Sequence, residues 1–198
     1  MLEELESYAR QNYIPVLLDD TRDLLIKTIK EINPKTILEI GTAVGYSGTL
    51  MLKYSNAILT TIELEVESIK IAENTFKSNN VFDRVNQIKG DAKEVLKNLN
   101  GKFDFIFLDG PKGQYINYLP YLKNLLSDGG TLFADNVLYK GMVESLDFIP
   151  HKKRTIVVNL RKYIEMVTND NELKTTIYHI GDGVAISKKI NAKESLWT

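Results

Sequence analysis

Thr36-Ile37-Leu38-Glu39-Ile40-Gly41-Thr42-Ala43-Val44-Gly45-Tyr46-Ser47 is the stretch whose reading decides the fold. Its first five residues form an apolar run rich in β-favouring side chains. The run is too short for a core helix and predicts a buried strand. Two glycines four apart follow, and Tyr46 to Tyr54 predicts a helix. A strand feeding a helix through a glycine-containing turn brings backbone N–H groups to a helix N-terminus, where partial positive charge favours an anion. Gly41 and Gly45 let that turn close tightly and approach a ligand. The turn lacks the Gly-Lys-Ser/Thr ending of a P-loop and is not the G-x-G-x-x-G dinucleotide fingerprint. Glu39 ahead of a G-x-x-x-G turn suits a ligand with a small carboxylate and an amino group better than one with a pyrophosphate. An ordinary strand-to-helix turn without a ligand is the alternative.

Outward from this stretch the pattern repeats. On the N-terminal side, Leu2 to Gln11 predicts a short helix. A second helix runs from a cap at Asp19 or Asp20 to about Ile32, burying Leu24, Leu25, Ile29 and Ile32, and stops at Asn33-Pro34. On the C-terminal side, strands are predicted at Ile58–Leu64, Val85–Lys89, Phe103–Leu108 and Thr131–Ala134. Helices are predicted at Val66–Ser78, Asp91–Leu99 and Tyr115–Leu126, the last ended by Asp128-Gly129-Gly130. Phe103 to Leu108 is uninterruptedly apolar, as in a strand buried on both faces of a parallel sheet. Five strand-helix alternations imply a doubly wound α/β sheet with right-handed crossovers. The end of the chain breaks the rhythm. After a helix from Lys152 to Thr168, strands at Leu173–Ile180 and Gly183–Lys188 read as an antiparallel hairpin with a tight two-residue turn within Gly181-Asp182-Gly183. The sheet is thus expected to hold seven strands, mostly parallel, ending in a hairpin.

With 198 residues, 43% of them hydrophobic and 26% charged, the chain is expected to be one domain over residues 1–198. It would comprise an N-terminal helical segment (1–33) and a core (34–190). No apolar run is long enough to span a bilayer, and the acidic start is neither a signal nor a transit peptide. The absence of cysteine removes disulfides and thiolate metal sites and agrees with a cytoplasmic location. With only His151 and His179, a zinc site would be short of ligands. A net charge of -1 excludes a generally basic nucleic-acid binder but leaves room for a local basic patch.

In doubly wound sheets, ligands sit outside the carboxyl ends of the strands. Strand one offers Glu39, the glycine turn and Ser47. Strand two ends in Glu63, 22 residues after Gly41 (63 − 41), where a carboxylate can accept from ribose hydroxyls or simply be solvated. Asp91 ends strand three and, with Glu94, also makes a capping box. Strand four ends in Asp109-Gly110-Pro111-Lys112 and strand five in Asp135-Asn136. Two facing carboxylates would repel and raise one pKa, and a divalent cation between them removes the conflict. An all-oxygen site favours magnesium, calcium or manganese over zinc. Lys112, one short turn beyond Asp109, would lie beside such a cation. Strand-end caps and a surface lysine are the alternative.

These motifs, in this order and joined by Gly181-Asp182-Gly183, resemble the divalent-metal-dependent O-methyltransferases, the group of the catechol and caffeoyl-CoA enzymes. The 26-position separation of Asp109 from Asp135 (135 − 109) is similar to that of the caffeoyl-CoA-type and bacterial branch. Within it, Tyr13-Ile14-Pro15-Val16, Arg154-Thr155-Ile156-Val157 and Asn159-Leu160-Arg161 resemble the bacterial tRNA 5-hydroxyuridine methyltransferases. Gly110-Pro111-Lys112 departs from the Ala-Asp-Lys of the caffeoyl-CoA enzymes and the His-Trp-Lys of the catechol ones.

The resemblance implies a Rossmann-like class I methyltransferase fold with S-adenosylmethionine as methyl donor. Its contacts would be Leu17, Glu39, Gly41, Gly45, Ser47, Glu63, Asp91, Ala92 and Asp109. It implies Mg2+ (or Mn2+ or Ca2+) on Asp109, Asp135 and Asn136, Lys112 as catalytic base, and a homodimer. The metal would chelate two neighbouring oxygens of the acceptor, and Lys112 would take the proton. A catechol offers two such oxygens, as does 5-hydroxyuridine in a tRNA anticodon, which would become 5-methoxyuridine. The basic residues Lys140, His151, Lys152, Lys153, Arg154, Arg161 and Lys162 follow the metal ligands. Of these, Lys152, Lys153, Arg154 and Arg161 are the candidates to seat an RNA backbone, against the alternative of a solvated helix face. Three readings remain: tRNA methylation, methylation of catechol-like phenols or acyl-CoA phenolics, and a non-catalytic adenosylmethionine- or RNA-binding module.

Overall fold

Ile37, Leu38 and Ile40 are almost wholly buried in β1 (Thr36–Ile40), on both faces of the strand, as a central parallel strand requires. The computed structural model describes residues 6, 7, 11, 16–146 and 149–190. The predicted helix Leu2–Gln11 and Tyr13-Ile14-Pro15 lie almost entirely outside the described residues. From Asp19 onward the elements are α1 (Asp19–Ile32), β1, α2 (Tyr46–Lys53), β2 (Ile58–Glu63), α3 (Val66–Ser78), β3 (Val85–Lys89) and α4 (Ala92–Asn98). They continue with β4 (Phe103–Leu108), α5 (Tyr115–Leu125), β5 (Leu126–Ala134), α6 (His151–Thr168), β6 (Leu173–Tyr178) and β7 (Val184–Lys189). The seven strands are ordered β3-β2-β1-β4-β5-β7-β6. Pairs β1–β2, β2–β3 and β4–β5 are parallel, and β7 is antiparallel to both β5 and β6. This is the mostly parallel α/β sheet with a terminal hairpin that the sequence predicts. The chain forms two compact units, residues 1–98 and 99–198. No helix among the described residues is long and apolar enough to cross a membrane.

In the first unit, α1 buries Thr21, Leu25, Thr28 and Ile29, so the stripe includes two threonines that hydropathy alone passes over. Neither Asp19 nor Asp20 is the cap. Leu18 precedes the first turn, and Asp19 pairs with Arg22 at 2.9 Å. The helix ends as expected at Asn33, whose left-handed conformation (φ 46°) returns its N–H to the Ile29 carbonyl. The C-terminal end of α2 is held from a distance. Arg84, in a 3-10 turn before β3, donates to the carbonyls of Leu52 (2.8 Å), Ser55 (2.9 Å) and Ala57 (3.1 Å). A guanidinium there satisfies helix-end carbonyls and complements the negative end of the helix dipole.

In the second unit, Phe133 on β5 packs its ring at a tilt against Phe105 and Phe107 on β4, with centroids 6.1 and 5.6 Å away. Two expectations are corrected here. Helix α5 ends at Leu125, and Asp128-Gly129-Gly130 lies inside β5, where the register jumps between Phe103↔Leu126 and Phe105↔Thr131. A Cβ on Gly130 would meet the Ser127 carbonyl at 2.8 Å, so these residues form an irregular strand start rather than a helix stop. The hairpin turn is also wider than two residues. Tyr178↔Val184 is the last pair, leaving residues 179–183 as the loop. Its extra length serves the neighbouring loop, because Gly183 O accepts from Val137 N (2.9 Å) and Asp182 O from Leu138 N (2.9 Å) and Tyr139 N (3.1 Å).

Removing the clamp on α2 tests its contribution. Arg84→Met keeps the apolar stem but leaves three carbonyls without their charged donor, and is expected to cost about 2 kcal/mol in urea unfolding. A change below about 0.5 kcal/mol, the range of ordinary surface substitutions, would show that water replaces the guanidinium without loss.

Candidate functional site

The turn after β1 adopts three left-handed residues within five: Gly41 (φ 95°), Ala43 (φ 45°) and Gly45 (φ 79°). The two glycines do this at no steric cost. Gly45 is also held to glycine by packing, since a Cβ would come within 3.1 Å of Ala72 on α3. Ala43 is the residue that sequence reasoning missed. It is kept in place by its N–H donating to Glu63 Oε2 at 2.9 Å. Glu63 Oε1 accepts from the N–H groups of Leu64 (2.8 Å) and Glu65 (3.0 Å), so one half-buried carboxylate organises the end of β2 and the turn together.

Beneath the turn, Glu39 is fully buried. Its Oε1 accepts from Ser47 Oγ at 2.5 Å and its Oε2 from Thr61 Oγ1 at 2.6 Å, while Thr61 also bonds Thr42 Oγ1 at 2.5 Å. The side chains of Glu39 and Ser47 therefore face one another in the core and tie β1, β2 and the start of α2. At the mouth of the same turn, the Tyr46 hydroxyl bonds Glu6 at 3.1 Å. Burial, reinforced by that carboxylate, pushes it up to about 12. Asp91 caps α4, accepting from Lys93 N (2.8 Å) and Glu94 N (3.4 Å), with Ala92 as the first helical residue. Leu17 is buried just before α1.

The second unit gathers Asp109, Lys112, Asp135 and Asn136. Lys112 Nζ donates to Asp109 Oδ1 at 2.5 Å, with both side chains partly buried. Asp135 is 3% exposed and receives the Asn136 N–H on Oδ1 at 2.7 Å. Its carboxyl is pushed up to about 7, first by burial and then by the charge of Asp109, against the opposing pull of Lys112 and the Asn136 N–H. Asn136 is left-handed (φ 57°), as are Tyr139 (46°) and Lys140 (57°) in the loop that follows. The strand ends are tied by a second residue without a sequence signal. The buried Tyr115 hydroxyl donates within reach of both the Leu108 carbonyl and the Asp135 carbonyl, at 3.1 Å each. Burial, then Asp109 and Asp135, raise its pKa well above the ordinary value.

Among the described residues, no three His, Cys, Asp or Glu side chains come together in a metal-holding group. The oxygen donors present are two carboxylates and the Asn136 amide. Of the predicted basic residues, His151, Lys152, Lys153 and Arg154 are exposed in the first turn of α6, with Lys153 Nζ 5.5 Å from the Tyr139 ring centroid. Arg161 is engaged elsewhere, donating to the carbonyls of Val143 (2.7 Å), Ser145 (2.8 Å) and Met142 (3.4 Å).

The chain offers a cradle for a small polar ligand after β1, and an acid-lysine cluster able to hold a cation and move a proton after β4 and β5. A family model described as O-methyltransferase matches residues 1–190. A caffeoyl-CoA O-methyltransferase of Populus kitakamiensis is 28% identical over 96% of this chain and 86% of its own length. A crystal structure from Staphylococcus aureus, provisionally named a caffeoyl-CoA O-methyltransferase, is 32% identical with a TM-score of 0.89, covering 95% of this chain and 91% of that one. The SAH-bound methyltransferase PaMTH1 of Podospora anserina is 27% identical with a TM-score of 0.86, covering 96% and 88%. The chain therefore belongs to the O-methyltransferase family, enzymes that move a methyl group from S-adenosylmethionine to an oxygen.

Proposed function

We propose that this protein methylates a hydroxyl that has a second oxygen beside it, using a divalent cation on Asp109, Asp135 and Asn136. The observation that carries the proposal is the Asp109–Lys112–Asp135 cluster. A buried carboxyl pushed up to about 7 beside a second carboxylate is a site that a cation would relieve, and every donor is oxygen. The donor set thus fits Mg2+ or Mn2+. When bound, such an ion supplies Lewis acidity that makes a hydroxyl easier to deprotonate. Asp109 and Asp135 would hold the charge, and Asn136, left-handed at φ 57°, would add its amide oxygen. Lys112 Nζ would accept the acceptor's proton as general base, a role that requires it to leave Asp109 and first give up one of its own protons to solvent, as a neighbouring cation would favour.

The donor end of the reaction falls to the first unit. Glu63 presents its carboxylate at the end of β2, suited to ribose hydroxyls. The Gly41–Gly45 turn presents N–H groups at the start of α2, suited to a carboxylate. Asp91 and Ala92 would flank the adenine. Glu39 acts through the turn it holds.

For the acceptor, the caffeoyl-CoA names of the relatives support a catechol-like or acyl-CoA phenol. A second reading, 5-hydroxyuridine in tRNA, is favoured by the exposed basic turn His151–Arg154. Four basic residues at a helix N-terminus form a patch to which phosphates would be drawn.

Three measurements test these readings. Glu63→Ala is expected to weaken S-adenosylmethionine binding by roughly 10- to 150-fold, the worth of a charge-assisted hydrogen bond; unchanged affinity by calorimetry would remove Glu63 from the site. Asp135→Ala is expected to abolish methyl transfer to catechol while S-adenosylmethionine still binds. Full turnover in chelator-stripped enzyme without added Mg2+ or Mn2+ would refute the metal role. The triple variant Lys152→Ala, Lys153→Ala, Arg154→Ala separates the acceptors. If RNA is the substrate, it loses tRNA methylation, with a shallower salt dependence, and keeps catechol methylation. Undiminished tRNA methylation would leave the patch as a solvated helix face and remove the observation that favours the tRNA reading.

A further inference from the structure

Lys112 sits in the 3-10 turn Lys112–Gln114, between Pro111 and the start of α5. Its side chain is held at the tip, by Asp109 Oδ1 and by the Tyr115 ring, whose centroid is 5.8 Å from Nζ. The reach of the amine depends on the backbone that carries it. That backbone has an anchor 46 residues away in sequence: Asn159 Nδ2 on α6 donates to the Gly113 carbonyl at 2.8 Å. Asparagine is a poor choice for a helix interior on propensity alone, because its amide competes for backbone partners. The bond to Gly113 gives it a reason to be there. Gly113 itself has no steric need to be glycine: a Cβ would meet nothing closer than Ile156 Cγ1 at 3.9 Å. The contact is a hydrogen bond to a backbone oxygen rather than tight packing.

Two residues on, Arg161 grips Met142, Val143 and Ser145 in the loop that leaves Asn136. An α-helix turns about 100° per residue, so residues two apart point to nearly opposite sides. Helix α6 thus reaches the lysine turn from one side and the loop after the metal ligands from the other.

We propose that Asn159 is a positioning residue for Lys112: its amide fixes the 3-10 turn so that Nζ reaches the acceptor hydroxyl. The proposal rests on the reading of Lys112 as general base. Nothing else in the proposed reaction needs Asn159, so its effect should vanish when Lys112 is absent.

The test is a double-mutant cycle on methyl transfer from S-adenosylmethionine to catechol with Mg2+. Asn159→Leu keeps the volume and removes the donor. It is expected to lower kcat by about 10- to 100-fold, the cost of misplacing a reacting group by an ångström or so, with KM for S-adenosylmethionine within about twofold of wild type. In a Lys112→Ala background, Asn159→Leu should lower the residual rate no further, whereas Arg161→Met should remain additive with Lys112→Ala. A kcat unchanged by Asn159→Leu, or an equal loss with and without Lys112, would overturn the proposal. If Asn159→Leu does not fold, Asn159→Ser is carried through the same cycle, and a lowered Tm with unchanged kcat counts against the proposal. Wild-type turnover in Lys112→Ala alone overturns the general-base reading and this proposal with it. Loss of turnover in Lys112→Ala beside normal turnover in Asn159→Leu overturns only the proposal.

Discussion

The first unit depends on a carboxyl group placed where polar groups rarely sit. Glu39 lies at zero exposure in the middle of β1, between Ile37-Leu38 and Ile40. A carboxylate in that position costs several kcal/mol unless its oxygens are satisfied. Hydroxyls of Ser47 and Thr61 each take one oxygen, and Thr42 joins through Thr61. The three donors belong to the start of α2, to β2 and to the turn itself. The carboxylate therefore fixes the spacing of the three pieces that shape the cradle. Gly48 completes the fit, since a Cβ there would stand 3.0 Å from Glu39 Oε2. Tolerance of the buried carboxyl group and the shape of the turn are the same fact.

Asp135 shows the opposite arrangement. It is about as buried, yet the donor to its carboxylate is the N–H of its own neighbour, and it faces Asp109 instead of hydroxyls. Glu39 has hydroxyl partners on both oxygens, whereas burial and the charge of Asp109 raise the pKa of Asp135. Tyr115 holds this arrangement in place, because its hydroxyl reaches the carbonyls of Leu108 and Asp135 and so pins the ends of β4 and β5 side by side.

Much of this was legible in the sequence. Strand and helix limits at Val66–Ser78, Val85–Lys89 and Phe103–Leu108 follow directly from apolar period and length. The cluster at Asp109, Lys112, Asp135 and Asn136 follows from polar residues ending apolar strands. What stays hidden depends on partners distant in sequence. No local pattern announces that Thr61 joins Ser47 on the Glu39 carboxyl group. A basic residue on a helix gives no sign that the carbonyls of Met142, Val143 and Ser145 accept from it, as they do from Arg161. Asp128-Gly129-Gly130 was read as a helix stop because glycine pairs mark turns, whereas here they mark an irregular strand. Tyr115 and Asn159 lay hidden for the same reason: an aromatic or amide at helical spacing looks like packing until its partner is seen.

Backbone strain points to the same places as the carboxylates. Glycine adopts positive φ without penalty and asparagine tolerates it, but Ala43 and Tyr139 gain nothing locally from being left-handed. Such conformations cost of order 1–3 kcal/mol and persist only where surroundings over-determine them. Ala43 is held by Glu63 at the end of β2. Tyr139 is held by the Asp182 carbonyl and follows Asn136 by three positions. A fold selected for stability alone would place glycine at both. Retaining side chains there fixes the cradle and the loop in single conformations before any ligand arrives. The reacting groups then need less reorganisation on binding, and that ordering is where catalysis by position begins.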